Sequence, residues 1–119
     1  MDKQILEYVT AKTHELMQTP TCSGETKAAA QAWLSAVGTA AEKTQTGKYI
    51  EELEADIMPI DNLIGFAESE KGAAYFGADT AAGIVAHARE IKAAGARYCD
   101  CPACAIAADI LAKKEDILK

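Results

Sequence analysis

The chain has 119 residues, of which half are hydrophobic, and a formal net charge of −6 at pH 7. This length is sufficient for one buried core, and the excess of negative charge disfavours binding to nucleic acid or to an anionic membrane surface. Alanine makes up about a fifth of the chain and aromatic residues only 6%, a composition that favours closely packed helices. We therefore predict an all-α protein with a single domain over residues 1–119.

The first two predicted helices are separated by the segment that contains Cys22. Apolar residues recur at helical spacing over positions 2–18, which predicts an amphipathic helix. Ser23 is a candidate N-cap for a second helix over residues 24–37, and Gly38 is a candidate for its C-terminal stop. Cys22 is therefore expected in a turn immediately before a helix N-terminus.

Pro59 decides how many helices follow. Thr39 and Glu42 have the spacing of a capping box, and an apolar stripe of helical period continues from there toward Pro59. Because proline is unfavourable in a helix interior, we predict a break or a kink at this residue, with a further helix over residues 60–67. A break gives six helices in the chain, and a kink gives five.

Two more helices and a connector complete the predicted bundle of five or six helices. Residues 72–77 indicate a short helical turn or connector, and Asp79 or Thr80 is a candidate cap for the helix that Gly95 ends. The last helix is expected to start near Pro102, because proline is favoured in a first helical turn. The longest apolar stretches are interrupted by charge or glycine within about ten residues, which is too short to span a bilayer.

The distinctive chemical feature of the sequence is a group of cysteines near the last helix. Cys99, Cys101 and Cys104 combine a Cys-x-Cys and a Cys-x-x-Cys spacing, and a helix start turns positions i and i+3 to the same side. A tetrahedral thiolate site needs a fourth ligand, for which Cys22 is the candidate and His87 the alternative. In a six-helix antiparallel bundle, the second and the last helix begin at the same end.

Soft sulfur ligands favour zinc at this site, although Cu(I) and an iron–sulfur cluster are also compatible with them. The positive ends of two helices, with Lys92 and Arg97 nearby in sequence, offset the charge of thiolates. We therefore expect cysteines more acidic than an ordinary thiol, and a zinc site with a structural or sensing role. The predicted metal ligands are Cys22, Cys99, Cys101 and Cys104.

Two other functions are compatible with the sequence. The segment from Cys101 to Cys104 resembles the Cys-Pro-x-Cys motif of thioredoxin-like oxidoreductases, with Cys101 as the nucleophile and Cys104 as the resolving thiol. Those enzymes carry the motif after a strand of an α/β domain, which this sequence does not predict. The third interpretation is a helical interaction protein without a metal, for example a homodimer. No nucleotide-binding or hydrolase motif is present, so an enzyme is not favoured.

Three segments, Ala30–Leu34, Asp56–Asp61 and Tyr98–Cys104, make the chain similar to a small all-α bacterial family. Members of this family have about this length and a C-terminal Cys-Asp-Cys-Pro-Ala-Cys motif, and some carry heat-shock or chaperone-like names. The resemblance extends over nearly the whole chain. It implies a stand-alone cytoplasmic helical protein, and it implies no mechanism. The first four residues open a helix rather than a signal peptide, which also predicts a cytoplasmic location.

Overall fold

The computed structural model describes all residues from 1 to 119 and contains helices but no strands. The prediction of an all-α fold is confirmed, whereas the predicted number of five or six helices is too low. None of the helices combines the length and the apolar character that a membrane crossing requires. The eight helices are α1 (Lys3–Gln18), α2 (Gly24–Ala36), α3 (Glu42–Asp56), α4 (Ile60–Glu68), α5 (Glu70–Phe76), α6 (Ala78–Ala93), α7 (Pro102–Leu111) and α8 (Lys114–Ile117).

The two additional helices lie where the sequence predicts a connector and a continuous last helix. Ser69 ends α4 and also caps α5, because its hydroxyl accepts the N–H of Gly72 at 3.1 Å. The segment predicted as a short turn is therefore a helix of its own. The last predicted helix is divided after Leu111, so that the buried Ile117 belongs to the separate helix α8.

Several predicted helix ends are confirmed by the local hydrogen bonds. The Ser23 hydroxyl accepts the N–H of Thr26 at 3.1 Å and caps α2, and Gly38 follows that helix with a φ of +82°. Pro59 has extended backbone angles and directly precedes α4, so it separates two helices instead of kinking one. Pro102 occupies the first turn of α7. Backbone N–H groups in a first turn have no acceptor within the helix, so the missing N–H of proline costs no hydrogen bond there.

Two predicted caps are wrong. The capping box of Thr39 and Glu42 does not form, because α3 begins after Ala41 and no side chain caps it. The Thr39 hydroxyl accepts the N–H of Ala41 instead, at 3.2 Å, within the preceding turn. Neither Asp79 nor Thr80 caps α6, which already begins after Gly77. This glycine has a φ of +89°, and it lets α5 end and α6 begin within a single residue.

The chain separates into two compact units, residues 1–57 together with 100–119, and residues 58–99. The first unit contains α1, α2, α3, α7 and α8. Its core surrounds Trp33 and Tyr49, whose ring centroids lie 5.5 Å apart and which are both almost fully buried. Their polar atoms are satisfied inside the core, since the Trp33 indole N–H donates to the Thr46 hydroxyl at 2.9 Å.

The second unit consists of α4, α5 and α6. Small buried residues, among them Ala67 and Ala88, allow these helices to approach closely. The two ends of the unit are joined by an isolated antiparallel bridge between Pro59 and Tyr98. Chain continuity therefore returns the polypeptide at Tyr98 to the point where it left at Pro59. A single domain over the whole chain stays a prediction beside this division.

Candidate metal centre

Cys99 is held in place by the backbone pairing that closes the second unit. Its N–H donates to the carbonyl of Met58 at 2.8 Å, and the N–H of Ile60 donates to the carbonyl of Arg97 at 2.8 Å. These two bonds flank the bridge between Pro59 and Tyr98. The backbone at Cys99 is therefore fixed by an isolated antiparallel pairing in an otherwise helical protein.

Cys101 and Cys104 are placed by the start of α7. Cys101 is the N-cap residue, and its sulfur accepts the N–H of Cys104 at 3.4 Å. Its carbonyl also accepts the N–H of Ala105 at 2.9 Å, which closes the first turn of the helix. The sulfur of Cys101 therefore lies at the N-terminal end of α7, where it accepts a backbone N–H.

The three cysteines of this segment form a cluster. The sulfur atoms of Cys99, Cys101 and Cys104 all lie within 4.8 Å of one another, and each side chain is half-buried. In a tetrahedral zinc site, Zn–S bonds of ~2.3 Å set the sulfurs about 3.8 Å apart. The cluster therefore needs movements of about 1 Å or less to hold such an ion, and these three residues can act as ligands of a metal.

The sulfur of Cys22 is not a member of this cluster, although the residue before it contacts α7. The hydroxyl of the preceding residue, Thr21, accepts the N–H of Ala103 at 3.2 Å. Since Ala103 lies in the first turn of α7 and Cys22 comes just before α2, the starts of these two helices meet. The Cys22 thiol itself donates to the neighbouring carbonyl of Ser23, with an S···O distance of 3.6 Å, and is only 7% exposed.

The electrostatic environment of Cys22 differs from the predicted one. Burial raises the pKa of the Cys22 thiol above its usual value, the positive charge of Lys27 opposes this rise, and the carboxylate of Asp56 adds to it. The expectation of a more acidic thiol is therefore wrong for Cys22.

The clustered cysteines are predicted from the sequence, whereas two residues that hold them in position are not. Thr21 joins the turn before α2 to α7, and the carbonyl of Met58 holds the backbone of Cys99. Neither has a local signal in the sequence, because each contact joins positions far apart in the chain. His87, the alternative fourth ligand, is exposed on α6 and does not belong to the cluster.

Comparisons with known proteins identify no relative. No protein-family model matches the chain, and no curated protein or solved structure gives a significant match. The functional interpretation therefore depends on the geometry of the thiol cluster.

Proposed function

We propose that this protein binds one soft metal ion, with zinc as the first candidate, through the thiolates of Cys99, Cys101 and Cys104. The observation that carries the proposal is the convergence of these three sulfurs to within 4.8 Å of one another. Three thiolates from one short segment give a site that needs little rearrangement of the backbone.

Local charge and hydrogen bonding support thiolates in this segment. The N–H of Cys104 directed at the Cys101 sulfur, and the N-terminus of α7, both favour negative charge at the site. Zinc suits thiolate ligands and needs no redox partner. Cu(I) and an iron–sulfur cluster also take soft sulfur ligands and are the alternative occupants.

A metal in this position would have a structural or sensing role. It would join Cys99, which is fixed by pairing with Met58, to the first turn of α7. Because ligand binding to the folded state adds to folding free energy, the site would stabilise the local order of this segment. Half-buried ligands also leave the ion accessible to exchange, which a sensor requires.

The redox interpretation has less support. Cys101 and Cys104 have the helix-start position of a thioredoxin-like motif, but the protein has no strand to carry that motif in an α/β domain. A function without any metal, as an interaction protein, receives no specific support from the cluster.

Elemental analysis of untagged protein purified without chelator tests the proposal. We expect about one zinc ion per chain. The double variant C101S/C104S removes two ligands and should lower the affinity for zinc by more than tenfold, as measured by competition with a chromogenic chelator. Asp100→Asn is the matched control, since it changes the charge of the same segment and leaves every sulfur in place.

Two results would overturn the proposal. One is substoichiometric metal in wild-type protein whose three clustered thiols all react rapidly with a thiol reagent. The other is equal zinc affinity in wild-type protein and in C101S/C104S, since binding would then not depend on the cluster.

A further inference from the structure

The contact between Thr21 and Ala103 places the backbone of Cys22 beside the first turn of α7. The Thr21 hydroxyl accepts the Ala103 N–H at 3.2 Å, and Ala103 lies between Cys101 and Cys104 in sequence. Consecutive Cα atoms are about 3.8 Å apart, so Cys22 is one residue away from a direct contact with the turn that carries two of the clustered thiols.

The side chain of Cys22 nevertheless keeps its sulfur outside the cluster. The thiol is buried, and it makes a long hydrogen bond of 3.6 Å to the carbonyl of Ser23. The position of a cysteine sulfur relative to the backbone is set by one torsion angle, χ1. A change from one staggered χ1 rotamer to another moves the sulfur by about 3 Å. The position of this buried sulfur therefore depends on its packing, on one side-chain torsion and on one long hydrogen bond.

We infer that Cys22 is a conditional fourth ligand of the metal centre, which joins the cluster for an ion that takes four thiolates and stays out for an ion that takes three. This inference rests on the proposed function. Zn²⁺ and Co²⁺ form tetrahedral sites and recruit Cys22, whereas Cu(I) is satisfied by the three clustered thiolates. With Cys22 available, the site can therefore offer either three or four sulfur ligands.

The coordination step is balanced without an oxidant. The Cys22 thiol loses its proton to solvent, the sulfur forms a bond to the metal, and its hydrogen bond to Ser23 breaks. Binding of the metal and loss of this proton are coupled, because a cysteine binds a metal as its thiolate.

Co²⁺ titration of the full-length chain tests the inference, because thiolate-to-cobalt charge-transfer absorption grows with the number of bound sulfurs. We expect the saturated absorption of C22S and of C22A to be about a quarter lower than that of wild-type protein, since one of four thiolates is lost. Cu(I) affinity, measured against a chromogenic Cu(I) chelator, should agree within about twofold among the three proteins. C104S, which lacks a clustered thiol, should weaken the binding of both metals.

X-ray absorption spectroscopy tests the same inference on wild-type protein alone, so its result does not depend on the folding of any variant. X-ray absorption spectra of wild-type protein should give about four sulfur neighbours around zinc and about three around Cu(I). Far-UV circular dichroism checks that C22S and C22A remain helical.

The outcomes separate this inference from the proposed function. Identical cobalt spectra for wild-type protein and C22A, or three sulfur neighbours around zinc, would overturn the role of Cys22 and leave the three-cysteine site intact. Equal loss of Co²⁺ and Cu(I) affinity in C22A would overturn the conditional character. A complete absence of thiolate charge transfer in wild-type protein would instead refute the proposed function.

Discussion

The hydroxyl groups of Thr13 on α1 and Tyr49 on α3 form a hydrogen bond of 2.9 Å in the core of the first unit, where both residues are at most 1% exposed. Each hydroxyl is removed from water, so each depends on a partner inside the protein. This bond joins two helices at the centre of the unit that contains α7.

A double-mutant cycle on this pair should reveal coupling. Thr13→Val leaves the buried Tyr49 hydroxyl without a partner and should lower the free energy of unfolding by about 1 to 3 kcal/mol. Tyr49→Phe should have a smaller effect, because the hydroxyl of a helical threonine can turn to a carbonyl of the preceding turn. In urea unfolding, we expect the double variant to lose about 1 kcal/mol less than the sum of the single variants. Strict additivity would show that the bond contributes nothing.

Alkaline pH should weaken the fold. Burial raises the pKa of Tyr49 to about 12, and the bond from Thr13 only partly opposes this rise. The native state therefore keeps a proton that the unfolded chain releases near pH 10, so that stability is present below pH 10 and falls as the pH approaches 12. The loss from this group is about 2 to 3 kcal/mol at most. The raised pKa of Cys22 acts in the same direction from a lower pH.

Tyr49→Phe is the control for this pH dependence, measured by urea unfolding at a series of pH values. The variant should lose the part of the decline between pH 10 and 12 that belongs to Tyr49. An unchanged slope in Tyr49→Phe would assign the alkaline sensitivity to other groups.

The bond between Thr21 and Ala103 should stabilise the start of α7. Thr21→Val preserves the shape of the side chain but leaves the Ala103 N–H without its acceptor, and we expect a loss of about 1 kcal/mol in the free energy of unfolding. Thr21→Ser retains the hydroxyl and should behave like wild-type protein within about 0.5 kcal/mol. Equal stability of the valine and serine variants would show that the contact is energetically neutral.

Gly72 permits a close approach of α5 to the end of α4. A Cβ atom at this position would overlap the carbonyl oxygen of Phe66, a backbone atom that cannot turn away. Gly72→Ala should therefore lower the free energy of unfolding by at least about 2 kcal/mol.

Gly83 provides the matched comparison, because a Cβ there meets no atom within 4 Å and the residue lies inside α6. Gly83→Ala should stabilise the protein by about 0.5 to 1 kcal/mol through helix propensity. Thermal unfolding followed by circular dichroism distinguishes the two variants. Similar shifts for both would contradict the close approach at Gly72.

Metal binding at the thiol cluster should raise the free energy of unfolding. At a free zinc concentration 1,000 times the dissociation constant, the expected gain in the free energy of unfolding is about 4 kcal/mol. Excess chelator should remove it. At the same zinc concentration, the C101S/C104S variant should gain at least about 1.4 kcal/mol less, because its affinity is expected to be more than tenfold lower. The fluorescence of the buried Trp33 offers a convenient readout of unfolding. An equal response in that variant would place the stabilising ion elsewhere.

Features that depend on neighbouring residues could be predicted from the sequence. Helical periodicity, the Ser23 cap and an interruption of the helix at Pro59 follow from backbone angles and hydrogen bonds within a few positions. The clustering of Cys99, Cys101 and Cys104 was predictable for the same reason, since their spacing and a helix start bring the sulfurs together. The sequence leaves open the choice between a break and a kink at Pro59.

Contacts between segments that are far apart in the chain became visible only in the folded protein. The chain leaves the first unit at residue 57 and returns to it at residue 100, so that α7 follows α3 within that unit and begins near the start of α2. The local sequence around Thr21 does not predict its hydrogen bond to Ala103. The sequence also does not predict the rotamer that turns the Cys22 thiol toward the carbonyl of Ser23. The physical reason is that such contacts depend on the packing free energy of the whole unit, to which residues far apart in the chain contribute together.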